Sequence, residues 1–314
     1  MAKVYFISSP EPGVLARQLQ ELAVPISGVT YEAGPTGFSL SRTLTAAGIR
    51  VFVAAASRIP RPVTAGAKTD RLDCLKLAAF VAKGLIKPIA IPTAVEEAQR
   101  SLLRRRHDIV DSIRRRKQRI KGFLLFLGQT VPKEVENWAA GASEALRAQS
   151  ARQTIESQLR ELAFYQEELQ DVAEQLRRLT KQQQHRRTVA CLTSVPGVGP
   201  VVATTFMLEV FRPERFHQAE EVSSYLGLAP MVRHSGEKSP SGRLVPVGQT
   251  KLRSLMFEAA WMWRLRDETA RELYTRFLSR MGIAQKAIAA LAHKLAIILW
   301  RLCLEQRPYR QVAM

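Results

Sequence analysis

The feature that most limits what this chain can fold into is a change of hydrophobic period at Val95. Before it, short β-branched and aromatic runs alternate with helical segments. Lys3 to Ile7 reads as a strand, and the residues after Pro10 and Pro12 read as an amphipathic helix with Leu15, Leu19 and Leu22 on one face. Val29 to Glu32 closes a second strand, Gly34-Pro35-Thr36-Gly37 turns into another helix, and Ile49 to Ala55 is apolar apart from Arg50. An uninterrupted apolar strand is expected to be buried on both faces of a parallel sheet. Thr69 is a suitable N-cap for a helix running to about Lys83. The βαβαβ order predicts a parallel sheet covered by helices over residues 1–94.

From Val95 onward the strand pattern stops. Residues 104–121 hold nine cations against Asp108 and Asp111: Arg104, Arg105, Arg106, Arg114, Arg115, Arg116, Lys117, Arg119 and Lys121. After a break near Gly128 and Pro132, residues 151–180 place Ile155, Leu159, Leu162, Leu169, Val172, Leu176 and Leu179 at near-heptad spacing. That spacing suits a coiled coil or long helical hairpin arm, and equally a helix packed on its own domain. We therefore divide the rest into a basic helical and coiled-coil region, 95–187, and a mostly helical C-terminal domain, 188–314. The loop-rich part of the latter lies between Pro230 and Gly248. Trp138, Trp261, Trp263 and Trp300 sit in apolar stripes and read as core.

Charge narrows the partners. A formal net charge of +19 favours an acidic polymer such as DNA or RNA. The apolar stretch from Ala287 to Leu299 is broken by His293 and Lys294, and is shorter than the ~20 residues that cross a bilayer. Three dispersed cysteines suggest neither a disulfide framework nor a zinc ribbon. The expected setting is cytoplasmic and nucleoid-associated, without a membrane.

Asp70 and Asp73, three apart at a helix start, project from one face. Glu32 closes a strand, and parallel sheets build sites at the carboxyl ends of their strands. Carboxylates gathered there would need a cation, and oxygen-only ligands suit Mg²⁺ or Mn²⁺. The plainer reading has Asp70 favouring the helix dipole and Asp73 pairing with Lys76 or Arg71.

Tyr31-Glu32-Ala33-Gly34-Pro35-Thr36-Gly37 and Lys68-Thr69-Asp70-Arg71-Leu72-Asp73 resemble motifs of the insertion-sequence one-ten family of DEDD transposases. So do Pro196-Gly197-Val198-Gly199-Pro200, Tyr225-Leu226-Gly227-Leu228-Ala229-Pro230, Ser235-Gly236, Gly242-Arg243 and Leu252-Arg253, in the same order. The resemblance covers essentially the whole chain. It implies a RuvC-like, RNase H-like domain (here incomplete), a long helical insertion, and a C-terminal domain that carries a serine nucleophile.

On that resemblance Glu32, Asp70 and Asp73 are the second, third and fourth acidic residues of a metal site. The family's first Asp sits on a strand upstream of the one that begins here at Lys3, and the first acidic residue here is Glu11 on a Pro-rich turn. The first catalytic strand is therefore expected to be missing from this sequence.

Ser235 is the implied nucleophile, attacking a DNA phosphate to leave a phosphoserine link; Ser239 and Ser241 lie close enough to compete for the role. Two departures from the family pattern stand nearby. His234 replaces a serine, and Val245-Pro246 replaces Thr-Lys.

Gly197 and Gly199 resemble the hairpin of helix–hairpin–helix DNA binders, whose backbone N–H groups approach phosphates; a plain interhelical turn uses the same residues. Lys238, Arg243, Lys251 and Arg253 are candidate phosphate clamps, as are Arg104, Arg105, Arg106, Arg114, Arg115, Arg116 and Lys117.

The sequence thus predicts an insertion-sequence transposase acting on element ends and target DNA, guided by a structured RNA and working as a homo-oligomer through the helical arm. The alternative is a catalytically inactive, truncated remnant that only binds nucleic acid. A metal-only junction nuclease is a third reading, and the serine domain argues against it.

Overall fold

The computed structural model describes residues 9–56, 59, 70–149, 153–230, 244 and 248–310, with the backbone alone described at 70–72. The chain forms two compact units, Met1–Thr93 and Ala94–Met314.

In the first unit, α1 (Pro12–Gln20) begins with a proline at its first position, where the missing N–H costs nothing. Strand β1 (Val29–Glu32) and strand β2 (Val51–Ala54) pair in parallel, Val29 opposite Val51 and Glu32 opposite Ala54. Helix α2 (Ser39–Ala46) connects them, supplying the long crossover that parallel strands need. Leu44 of α2 is fully buried, as are Val53 and Ala54 of β2. Helix α3 (Asp70–Ala82) lies against β1.

The parallel sheet expected from the sequence is present as these two strands. The expectation that 49–55 is buried on both faces needs correcting. Val51 and Phe52 are only half-buried, and β1 is the only strand beside β2 among the described residues. The strand expected at Lys3 to Ile7 and the cap expected at Thr69 lie outside the described residues.

The second unit is helical. Helix α4 (Ala94–Phe126) runs beside α7 (Gln153–Lys181), and α5 (Lys133–Asn137) and α6 (Ala142–Gln149) link them. Of the heptad residues of α7, Leu169 is half-buried and the other six are buried: Ile155, Leu159 and Leu162 close one core with Ile120 and Leu124 of α4. Val172, Leu176 and Leu179 close a second core with Leu103 and Ile109. Of the readings the stripe allowed, the structure takes the one in which a helix of the same chain covers it. That is the cheaper solution, because it needs no association entropy.

The second core continues through α8 (Gln183–Thr193), α9 (Pro200–Val210), α10 (Ala219–Leu226), α11 (Thr250–Arg266), α12 (Glu268–Met281) and α13 (Ala284–Glu305). Helix α13 is long and apolar enough to span a bilayer by length and composition. Its Ala287, Leu291, Leu295 and Leu299 are instead fully buried among α8, α10, α11 and α12. Asp267, also fully buried, caps α12 by accepting from the Ala270 N–H at 2.8 Å.

Candidate active site and nucleic-acid interface

Glu32 ends β1 with its side chain exposed, at the carboxyl edge of the parallel pair. Asp70 opens α3, the helix packed on that strand, and its side chain lies outside the described residues. Asp73 is exposed one turn on, with Oδ1 4.0 Å from Lys76 Nζ. This is the loose i,i+3 pair of the plainer reading, and solvent leaves it little strength. Among the described residues no three His, Cys, Asp or Glu side chains are grouped to hold a metal. The donors on offer are carboxylate oxygens alone, which fits Mg²⁺ or Mn²⁺ and not a soft metal.

Several cations of the basic run on α4 are paired within the protein. Arg104 donates from Nε to Glu209 Oε1 at 3.1 Å, and Arg100 holds the same carboxylate at 2.7 Å. Glu209 is nearly fully buried in α9. Burial alone would raise its pKa, but Arg100 and Arg104 outweigh that and hold it below the ordinary carboxylate value. Arg105 pairs with Glu168 of α7 at 3.1 Å, and Arg116 with Glu161. Lys117 sits 5.1 Å from the Trp138 ring, and burial lowers its pKa, with Lys121 adding to the effect.

Arg106 is half-buried, and desolvation lowers its pKa as well. Arg114 reaches Asp111 at 3.5 Å, while Arg115 donates to Ser112 Oγ at 3.3 Å. Cations on a helix that packs along two neighbours must be paired where they are buried, so part of the run binds the protein to itself.

The turn between α8 and α9 separates the two glycines chemically. Gly197 has φ +90°, and a methyl carbon added there would lie 2.6 Å from Trp263 N and 2.9 Å from Met262 Cβ. Only glycine lets the turn sit this close to α11. Gly199 has extended backbone (φ −82°), caps α9 ahead of Pro200, is exposed, and has nothing within 4 Å of an added methyl.

Ser235, Ser239, Ser241, His234, Lys238 and Arg243 lie outside the described residues, but both ends of their loop are defined. Pro230 bridges Leu244 in antiparallel fashion. Gly248 (φ +116°) lies against Gly227, whose N is 2.5 Å from where a Cβ would stand. The Gln249 N–H donates to the Tyr225 carbonyl at 3.3 Å. Just beyond, Lys251 pairs with Asp111 of α4, and Arg253 donates to the Gly227 carbonyl at 3.4 Å.

His107 of α4 belongs to the same neighbourhood. Its Nε2 is buried with no hydrogen-bond partner among the described residues. Its pKa is lowered by burial first, then by Arg106 and Lys251.

Sequence reasoning missed Asp111 and Glu209 as companions of this region, since the cations they meet, Lys251 for Asp111 and Arg100 and Arg104 for Glu209, are more than a hundred residues away in the chain, and it missed His107, whose burial no local pattern marks. A separate cavity of about 300 Å³, lined by Glu96, His185, Phe211, Glu214, Cys303 and Gln306 among others, holds none of the residues singled out from sequence.

Comparison with known proteins places two family models on the chain. One, described as Transposase and belonging to the DEDD type of IS110 elements, matches residues 13–128, which include Glu32, Asp70 and Asp73. The other, described as Transposase IS116/IS110/IS902 family, matches residues 189–275, from α8 into α12.

The chain is 30% identical over 235 residues to a protein named as transposase y4qE of Sinorhizobium fredii, covering 74% of this chain and 58% of that one. It therefore spans little more than half the length of that relative. The transposase for insertion sequence element IS1111A of Coxiella burnetii is 25% identical, over 80% of this chain and 70% of its own length. The transposase for IS1533 of Leptospira borgpetersenii is 25% identical, over 90% and 82%. The DEDD segment comes first and the second transposase segment follows the helical hairpin, so the chain carries transposase domains of the IS116/IS110/IS902 family.

Proposed function

We propose that this protein is the transposase of an insertion sequence and that it cuts and rejoins DNA strands. One observation carries the reading. The acidic residues of the DEDD segment fall at the carboxyl end of a parallel strand and in the first turn of the helix packed on it. That is where parallel sheets build catalytic sites, and it supports an RNase H-like reading of the first unit.

Glu32, Asp70 and Asp73 are the groups that would hold Mg²⁺ or Mn²⁺. Such an ion, when bound, neutralises charge on a transferring phosphoryl group. Ser235 is the proposed nucleophile. Its Oγ forms a bond to phosphorus while the ester bond to the departing strand breaks, and the hydroxyl proton passes to a base as the departing oxygen is protonated. One ester replaces another, so the link is reversed when a second strand's hydroxyl attacks.

Lys238, Arg243, Lys251 and Arg253, grouped around one loop in sequence, and Gly199 at the open start of α9 are proposed to grip the backbone. The exposed cations of α4, such as Arg114 and Arg115, extend that grip, and a structured guide RNA and a second copy of the chain are the proposed partners.

The test incubates purified protein with element-end DNA, Mg²⁺ and cognate RNA, then resolves products under denaturing conditions. A protein–DNA adduct present in the native chain and abolished in Ser235→Ala is the expected result. DNA binding equal in both proteins, with no adduct in either, would leave only a nucleic-acid-binding role.

A further inference from the structure

The last turns of α11 carry an aromatic surface that the cutting chemistry does not use. Trp261 is 38% exposed, Met262 37% and Leu265 61%, whereas Trp263 between them is fully buried. The Trp261 ring is held in place. It tilts against Tyr274 of α12 with centroids 5.9 Å apart, and the Arg264 guanidinium lies 5.3 Å from its centroid and 4.1 Å from that of Tyr274.

The surface adjoins the turn at 196–200, because Gly197 abuts the Met262 and Trp263 backbone. Helices α11 and α12 together carry seven Lys and Arg against three Asp and Glu, with the buried Asp267 between them.

We propose that Trp261, backed by Arg264 and flanked by Met262, is a stacking platform for an unpaired base of a nucleic-acid strand that passes the turn. An indole fixed by a guanidinium presents a flat π-face, which any base can cover without sequence preference. The surplus of cations on the same two helices suits the strand's phosphates and disfavours a second copy of this equally basic surface. Three exposed apolar side chains also fall far short of the ~20–30 residues a side that a stable protein interface uses. Transposition exposes single-stranded ends and flanks, where such a base is available. The proposal rests on the nucleic-acid reading above.

Binding of fluorescently labelled single-stranded and duplex oligonucleotides to the full chain, followed by anisotropy, tests it. Trp261→Ala is expected to weaken single-strand binding on the order of ten-fold, leaving duplex binding within about two-fold, and Trp261→Phe to retain most of the affinity. Indole emission of the native chain is expected to be quenched by the single strand, and this quench is lost in Trp261→Phe. Unchanged single-strand affinity in Trp261→Ala overturns the platform, as does an equal loss for both substrates. A change in the mass of the Trp261→Ala protein by light scattering, with binding intact, assigns the surface to self-association and overturns it too. Failure of the native chain to bind either nucleic acid would sink the proposed function itself, a distinguishable result.

Discussion

Replacing Gly197 by alanine should unfold the second unit at a markedly lower temperature, whereas the same change at Gly199 should not. At Gly197 the added methyl meets two obstacles. The φ of +90° is one that L side chains rarely adopt, at a cost of roughly 1–3 kcal/mol. The methyl would also stand 2.6 Å from Trp263 N and 2.7 Å from the Met262 carbonyl carbon. Backbone atoms inside a hydrogen-bonded helix cannot swing aside, so α11 must shift or the turn must open, which adds about 1–3 kcal/mol. The sum, about 2–6 kcal/mol, corresponds to a fall of roughly 5–20 °C in Tm for a unit of this size.

At Gly199 the backbone is extended and nothing lies within 4 Å. The loss of unfolded-state freedom and the poorer N-cap nearly cancel there, leaving a change of under about 1 kcal/mol. Thermal and urea denaturation followed by circular dichroism at the helical band would measure both. A Gly197→Ala protein within about 2 °C of the native Tm would refute the close approach of turn and helix. Equal loss at both positions would mean that chain freedom, not contact, is what the turn needs.

Two further outcomes follow from buried charge. Glu209→Ala leaves Arg100, whose side chain is only 11% exposed, buried without its main partner. A loss of about 3–5 kcal/mol in denaturant unfolding is expected, against less than about 1 kcal/mol for Arg104→Ala, which is 55% exposed; comparable losses for the two would contradict the geometry. For pH, burial lowers the pKa of His107, His185 and His293, with Arg106 and Lys251 assisting at His107. A depressed histidine contributes stability that is fully present above its unfolded value of about 6.5 and is lost as pH falls towards the folded value. The depressed Glu209 adds a second loss at lower pH, below about 4.3 and down through its folded value. Tm should be flat between about pH 7 and 8 and decline from about 6.5 downward, less steeply in His107→Gln; a Tm that rises between pH 7 and 6 would contradict the burial.

The sequence pattern located the end of β1, because Val29 to Glu32 is β-branched and aromatic and is followed by a Gly-Pro turn. It also placed α7, whose apolar residues recur at nearly every half-heptad. It could not say what covers them. A stripe states only that something apolar does, and α4 is separated from α7 by a 26-residue connection.

The cations of α4 were legible as a run, but their partners Glu161, Glu168 and Glu209 were not, being indistinguishable in sequence from solvated acids. Reading every tryptophan as core failed at Trp261. Residues 261 and 263 lie about 200° apart around a helix, so they cannot both face inward. Trp263 and Trp300 are buried as read. Ser235 owes its candidacy to family resemblance, since no period or spacing distinguishes one loop serine from another.

The internal pairing of α4 changes how the +19 charge should behave. A surface whose counter-charges are already seated works as an exchanger: a phosphate reaching Arg105 or Lys251 must first displace Glu168 or Asp111. Fewer small ions leave the nucleic acid per cation than nine bare side chains would release, so affinity should decline with salt more gently than the count of arginines suggests. Carboxylates displaced in this way would stand beside a bound polyanion and repel it, which favours its release.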